Sequence, residues 1–171
     1  MTATTLPHPL QPLSGWIKSG SSPTARSLEK KSENIIYHYE KRSEQDFRFR
    51  IDLERAFSEL ALAIEIGERD NWNHYGAAKI DRRVCELAYQ FLNALPSSIP
   101  VPEVGLDPDG EISFEWIVAR DMQFSVSLSP EGLLSYAGVF GDHATTHGTE
   151  KLDETVPQTI IASIRRLGIG R

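Results

Sequence analysis

Asp107-Pro108-Asp109-Gly110-Glu111-Ile112-Ser113-Phe114-Glu115-Trp116 begins the stretch that decides the fold, which continues to Phe140. Asp107 to Gly110 is a turn signature, with proline at the φ-restricted position and a glycine free to take positive φ. Beyond it the residues alternate. Ile112, Phe114, Trp116 and Val118 point one way, and Glu111, Ser113 and Glu115 the other. Met122, Phe124, Val126 and Leu128 repeat the pattern against Gln123, Ser125 and Ser127. Ser129-Pro130-Glu131-Gly132 reads as a second turn, and Leu134, Tyr136, Gly138 and Phe140 as a third strand. A period of two with one apolar side is the signature of an antiparallel sheet with one wet face, so the stretch predicts a three-stranded antiparallel β-meander.

Working outward, the periodicity changes to that of helices. Ser27 is a candidate cap for a helix over Leu28 to Lys41, with Ile35, Ile36 and Tyr39 as a narrow apolar stripe. Phe49, Leu53, Phe57, Leu60 and Ile64 recur at i+3/i+4 spacing before Gly67 and predict a second helix. A third spans about Asp81 to Ala94, with Asp81 as its cap, a stripe of Val84, Leu87, Ala88 and Phe91, and Pro96 beyond its end. The two sturdier helices suggest an αα-hairpin. Ser97 to Pro102 reads as a polyproline-like lead into the sheet. After the meander, Asp142 to Glu150 reads as a polar loop. Asp153 or Thr155 then caps a C-terminal helix with Val156, Ile160, Ile164 and Leu167 on one side, packed on the sheet. The expected fold class is α+β, as one domain over residues 27–171. The leader, residues 1–26, carries four prolines and a Ser19-Gly20-Ser21-Ser22 run and is expected to be flexible, with Leu10, Leu13, Trp16 and Ile17 as a small docking cluster.

The loop Asn71-Trp72-Asn73-His74-Tyr75-Gly76-Ala77, the helix ending Phe91-Leu92-Asn93-Ala94-Leu95-Pro96, and the strand from Asp107 to Trp116 together resemble a widespread family of small uncharacterised bacterial proteins. The resemblance covers roughly residues 50–165. It implies a bacterial origin and carriage on a mobile element. It brings no activity and no catalytic residue with it. Relatives read Trp-Asp-Gly-Tyr-Gly-Ala where this chain has Asn73-His74.

Charge bounds the partners. The 171 residues carry a net charge of −6, yet residues 1–31 hold Lys18, Arg26, Lys30 and Lys31 against Glu29, a net +3 that leaves −9 for the rest. So acidic a body is a poor match for a phosphate backbone, and nucleic-acid binding by it is not expected. The single Cys85 rules out an intramolecular disulfide and any multi-cysteine metal site, which favours a reducing, cytoplasmic location. The N-terminus lacks the basic and apolar regions of a secretory signal, and no run approaches the ~20 apolar residues that span a bilayer.

Four sets of residues are candidates for function. Glu111, Glu115, Gln123, Ser125 and Ser127, with Ser135, would share the wet face of the sheet as an acidic-polar surface for a basic protein partner, Trp16 of the leader adding a second contact. Glu111 and Glu115 stand about 13 Å apart at the ~3.3 Å rise of a strand, beyond the ~5–9.5 Å of paired glycosidase carboxylates. His143, His147 and Glu150, beside Asp142, are the densest group of metal-type ligands, although Gly141, Gly148 and two threonines argue for loop over the helix that would align the histidines. Trp72, Tyr75 and Trp116 could wall a small-ligand pocket, with His74 as a base among aromatics, although packing is the commoner use of such residues. Cys85 reads as a buried, inert thiol. There is no nucleophile elbow, phosphate-binding glycine loop, dinucleotide fingerprint or H-E-x-x-H.

The expectation is therefore a non-enzymatic protein–protein interaction module without cofactor. Its kind would be the neutralising, antitoxin-like member of a defence or toxin–antitoxin pair. A metal-dependent hydrolase or nuclease using the His143/His147 loop and a small-ligand sensor are the alternatives.

Overall fold

Nothing between Lys41 and Phe49 stops a helix. The Arg42-Ser43-Glu44-Gln45-Asp46-Phe47-Arg48 stretch contains neither glycine nor proline, and the computed structural model, which describes residues 23–141 and 144–169, runs the first two expected helices together as α1 (Pro23–Gly67), 45 residues long. The polar interruption ended the apolar stripe without breaking the hydrogen-bond ladder. The chain divides inside this helix into two units, Met1–Ser43 and Glu44–Arg171. In the first, Ile35, Ile36 and Tyr39, the narrow apolar stripe of the sequence, are exposed. In the second, Ala56, Leu60 and Ala63 are buried, with Phe49, Leu53, Phe57 and Ile64 packed against the core.

Residues 68–81 link α1 to α2 (Arg82–Ala94) through a loop built on asparagine side chains. Asn71 Oδ1 accepts from Gly76 N at 2.6 Å, and Asn73 Oδ1 from Tyr75 N at 2.8 Å and Ala77 N at 3.2 Å. An acceptor oxygen is what an aspartate at position 73 would supply, so the asparagine keeps the loop's shape. Asp81 caps α2 as expected, accepting from Arg83 N at 2.6 Å. Phe57 of α1 stacks on Tyr89 of α2 with ring centroids 5.8 Å apart.

The sheet has five strands, and the expected three-stranded meander is its middle. β1 (Glu103–Leu106), β2 (Ile112–Ala119), β3 (Met122–Leu128), β4 (Leu133–Phe140) and β5 (Thr145–Lys151) lie in sequence order, each antiparallel to the next. The two additional strands correct the sequence reading for separate reasons. β1 begins directly after Pro102, where the ladder no longer needs a donor that proline lacks, and it is only four residues long. β5 carries no apolar alternation because its inward positions, Thr146, Gly148 and Glu150, lie opposite Gly138, Tyr136 and Leu134. Tyr136 covers Gly148 so closely that an added Cβ would fall on its hydroxyl. The tyrosine, not the edge strand, supplies the apolar area there.

Both predicted turns form: Gly110 N donates to Asp107 O, and Gly132 N to Ser129 O, each at 3.0 Å. Val118 departs from expectation. The β2–β3 register shifts between Ile117 and Ala119, and the irregularity turns Val118 out to solvent. The helices lie on the even-numbered side of the strands. α2 contacts β2 and β3, and α3 (Gln158–Arg166) contacts β4. Phe91 stacks on Phe114 at 4.3 Å, both fully buried, and Ile112, Phe124, Leu128 and Leu134 complete the layer. α3 starts at Pro157 with no side-chain cap, so neither Asp153 nor Thr155 takes that role, while Val156, Ile160, Ile164 and Leu167 are buried as their spacing predicts. Arg166, in its last turn, lies 3.9 Å over the Phe140 ring.

Candidate functional site

The odd-numbered side of the sheet has no helix packed on it among the described residues, and the ladder sets its side chains in rows. One row runs Glu103, Glu115, Ser125, Ala137, His147 from β1 to β5. The next runs Gly105, Ser113, Ser127, Ser135, Thr149. Between them lies a shallow groove of about 320 Å³, lined by Asp107, Ser113, Glu115, Ser125, Ser127 and Ser135. Ser113 is only 7 % exposed at its floor. Gly105 makes room for it, since a Cβ there would lie 2.6 Å from Ser113 Oγ. A smaller hollow of about 170 Å³ continues past Glu115 and Ser125 toward Gln123, Ile117 and Val139.

Carboxylates crowd the β1–β2 end of this face. Glu103 and Glu115 are directly opposite in the register, a like-charge pairing that weakens a sheet. At the neighbouring turn, Asp107 Oδ2 and Glu111 Oε2 each lie 2.7 Å from Ser127 Oγ. Ser127 has a single hydroxyl proton and can donate to only one of them at a time. No lysine or arginine answers these four groups: the salt bridges among the described residues are Arg55–Glu59, Arg82–Glu86 and Arg83–Glu86, all within helices. The face is thus rich in acceptors and hydroxyls and short of cations.

The five sheet residues singled out from the sequence, Glu111, Glu115, Gln123, Ser125 and Ser127, do gather on this face; Trp16 lies outside the described residues. Glu103 and Asp107 join them unannounced, and Ser113, which the alternation had placed on this side, lies at the groove floor. The signal for the first two was the Pro102 boundary and the Asp107–Gly110 turn, which together imply a strand before the turn as well as after it.

The other candidate groups are dispersed. His143 and Asp142 lie outside the described residues. His147 is exposed on the open face, whereas Glu150, three residues on, belongs to the opposite side of β5. No cluster of three His, Cys, Asp or Glu able to hold a metal occurs among the described residues. Trp116 is buried under the sheet, its indole N–H donating to Pro100 O at 2.7 Å. Trp72 borders a hollow with Leu62 and Ile66, and Tyr75 is almost fully exposed. Buried, hollow-lining and exposed in turn, the three aromatics are not gathered into one wall among the described residues. His74 is exposed, at φ +65°. The Cys85 thiol is pushed up from its ordinary value, chiefly by burial, with Asp81, Glu68 and Glu86 adding to the shift, and its S–H points at Asp81 O 3.4 Å away. That disfavours a thiolate. At the β3–β4 turn, the Ser129 hydroxyl, 2.7 Å from Glu131, holds that exposed carboxyl below its usual range.

No protein-family profile matches the chain, and no curated protein and no solved structure matches it either. No helix among the described residues is long and apolar enough to cross a membrane.

Proposed function

We propose that this chain is a non-enzymatic binding module that offers the open face of its sheet to a basic protein partner, as the neutralising member of a defence or toxin–antitoxin-like pair. The observation that carries the reading is the convergence of Glu103, Asp107, Glu111 and Glu115 around a serine-lined groove, none of them in an ion pair with a lysine or arginine among the described residues. A partner contributing lysine or arginine relieves the Glu103–Glu115 repulsion and supplies the donors that one Ser127 proton cannot. Such a face presents negative charge much as a nucleic-acid strand does, which suits a partner whose own target is nucleic acid.

Affinity purification from the native host, comparing the wild-type chain with the Glu103→Lys/Glu115→Lys variant, tests the proposal. A stoichiometric basic partner held by the wild type and lost by the variant is expected. Equal retention by both, or no partner at all, refutes it. The neutralising role is read separately in growth: the partner expressed alone arrests growth, and co-expression of this chain restores it.

A further inference from the structure

The C-terminal part of α1 is apolar on two sides. At 100° per residue, Ala56, Leu60 and Ala63, with half-buried Leu53, form the covered stripe, and Phe47, Ile51, Leu62 and Ile66 fall on the roughly opposite side. These four are 65, 52, 57 and 43 % exposed. Single exposed apolar residues are ordinary, but four on one helix face over five turns are a docking stripe. Beside its C-terminal end, Leu62, Glu65, Ile66, Arg69 and Trp72 enclose a hollow of about 220 Å³.

The charges along the stripe identify the occupant. Positions 44, 48, 51, 55, 58, 62 and 65 of α1 alternate at four- and three-residue steps, the spacing at which two helices meet, and all seven are exposed. Turned about a twofold axis between residues 56 and 57, this seam meets itself in register. Arg48 comes opposite Glu65, Ile51 opposite Leu62, and Arg55 opposite Ser58, while Glu44 falls beyond the C-terminal end of the facing helix. Phe47 comes opposite Ile66, at the hollow beside Trp72. None of Glu44, Arg48, Glu65 and Arg69 has an ion-pair partner among the described residues. A parallel pairing would set Glu44 on Glu44 and Arg48 on Arg48. Sliding the antiparallel pair by one heptad sets Ile51 against Arg55 in one direction and carries it past the end of the facing helix in the other. Charge and apolar matching therefore select one arrangement.

We propose that a second copy of this chain docks antiparallel on the outer face of α1 over residues 47–66, a seam of about 30 Å at ~1.5 Å per residue, with Phe47 of each copy entering the hollow beside Trp72 of the other. The interface is isologous, as a twofold requires, and lies on α1, apart from the open face of the sheet.

Sedimentation equilibrium of the full chain tests it, with circular dichroism confirming that each variant is folded. The wild type should sediment at twice its chain mass of 19.2 kDa and dissociate on dilution. Ile51→Glu, at an exposed position, should give a folded monomer. Arg48→Glu and Glu65→Arg should each raise the dimer dissociation constant on the order of tenfold, and the double variant, which restores the match in exchanged form, should recover it. A wild-type chain that stays at 19.2 kDa up to hundreds of micromolar overturns the proposal. So does a dimer indifferent to Ile51→Glu, or a double variant no better than the singles.

Discussion

Glu103→Lys should make the protein more stable while abolishing its proposed binding. Glu103 and Glu115 are direct cross-strand partners at the β1–β2 edge, and neither has an ion-pair partner among the described residues. Two carboxylates about 6 Å apart repel by roughly 0.7 kcal/mol at the dielectric of water and more where protein displaces solvent. Replacing the repulsion by an attraction of the ~0.2–1 kcal/mol typical of opposite-charge cross-strand pairs puts the gain at about 1 kcal/mol. For a domain of this size that raises Tm by ~2–4 °C. Thermal or urea unfolding at low and at high salt is the assay. Salt should stabilise the wild type by screening the repulsion, and the advantage of the variant should shrink toward zero near 1 M, where the Debye length falls to ~3 Å. A variant less stable than wild type, or an advantage unchanged by salt, would show that the two carboxylates do not face one another as described.

Three other outcomes follow from the packing and the caps. Phe114→Ala removes a fully buried ring stacked on Phe91 and should cost ~3–5 kcal/mol in urea unfolding, a large part of the stability of a domain this size. Asp81→Ala deletes the acceptor for Arg83 N and should cost about 1 kcal/mol, whereas Asp153→Ala, which removes no helix cap, should change stability by less than ~0.5 kcal/mol. Because folding raises the Cys85 pKa, the protonated thiol is favoured in the native state: stability is unaffected below the ~8.5 of a free thiol and falls as pH rises through the higher folded value. Cys85→Ala should flatten that alkaline decline, and alkylation of native protein at pH 7.5 should lag that of the unfolded chain.

β2 to β4 were legible from sequence because burial on one side writes a period of two into the chain, and α2 and α3 because their stripes are complete. The same rule explains the failures. The apolar stripe of α1 reports where the helix is covered, not where it is helical, so the polar stretch at 42–48 looked like a break. β5 hides because Tyr136, on its neighbour, reaches over Gly148 and does the covering, leaving threonines to alternate with nothing. Half of the acidic face was readable, since Glu111, Glu115, Ser125 and Ser127 follow from the alternation. Ser113 follows from the same alternation, whereas Glu103 became part of it only through the pairing of β1, a strand of four residues. The second face of α1 is written as Phe47, Ile51, Leu62 and Ile66, but the covered stripe of Phe49, Leu53, Phe57, Leu60 and Ile64 dominates the periodicity of the same segment.

A sheet whose strands lie in the order of synthesis has a kinetic consequence. Every strand pair closes a loop between immediate neighbours, and none waits for a distant segment to return, so the entropy of closure is met in short instalments. The sheet can grow by one hairpin at a time behind α2, each new strand finding its template already in place. The last partner to arrive is α3, whose Ile160 and Ile164 complete the layer over β4 only after β5 has folded back. Refolding followed by amide exchange should show β2 and β3 protected early and α3 last, and a nascent chain stopped before Pro157 should hold its strands with part of its oily side still wet.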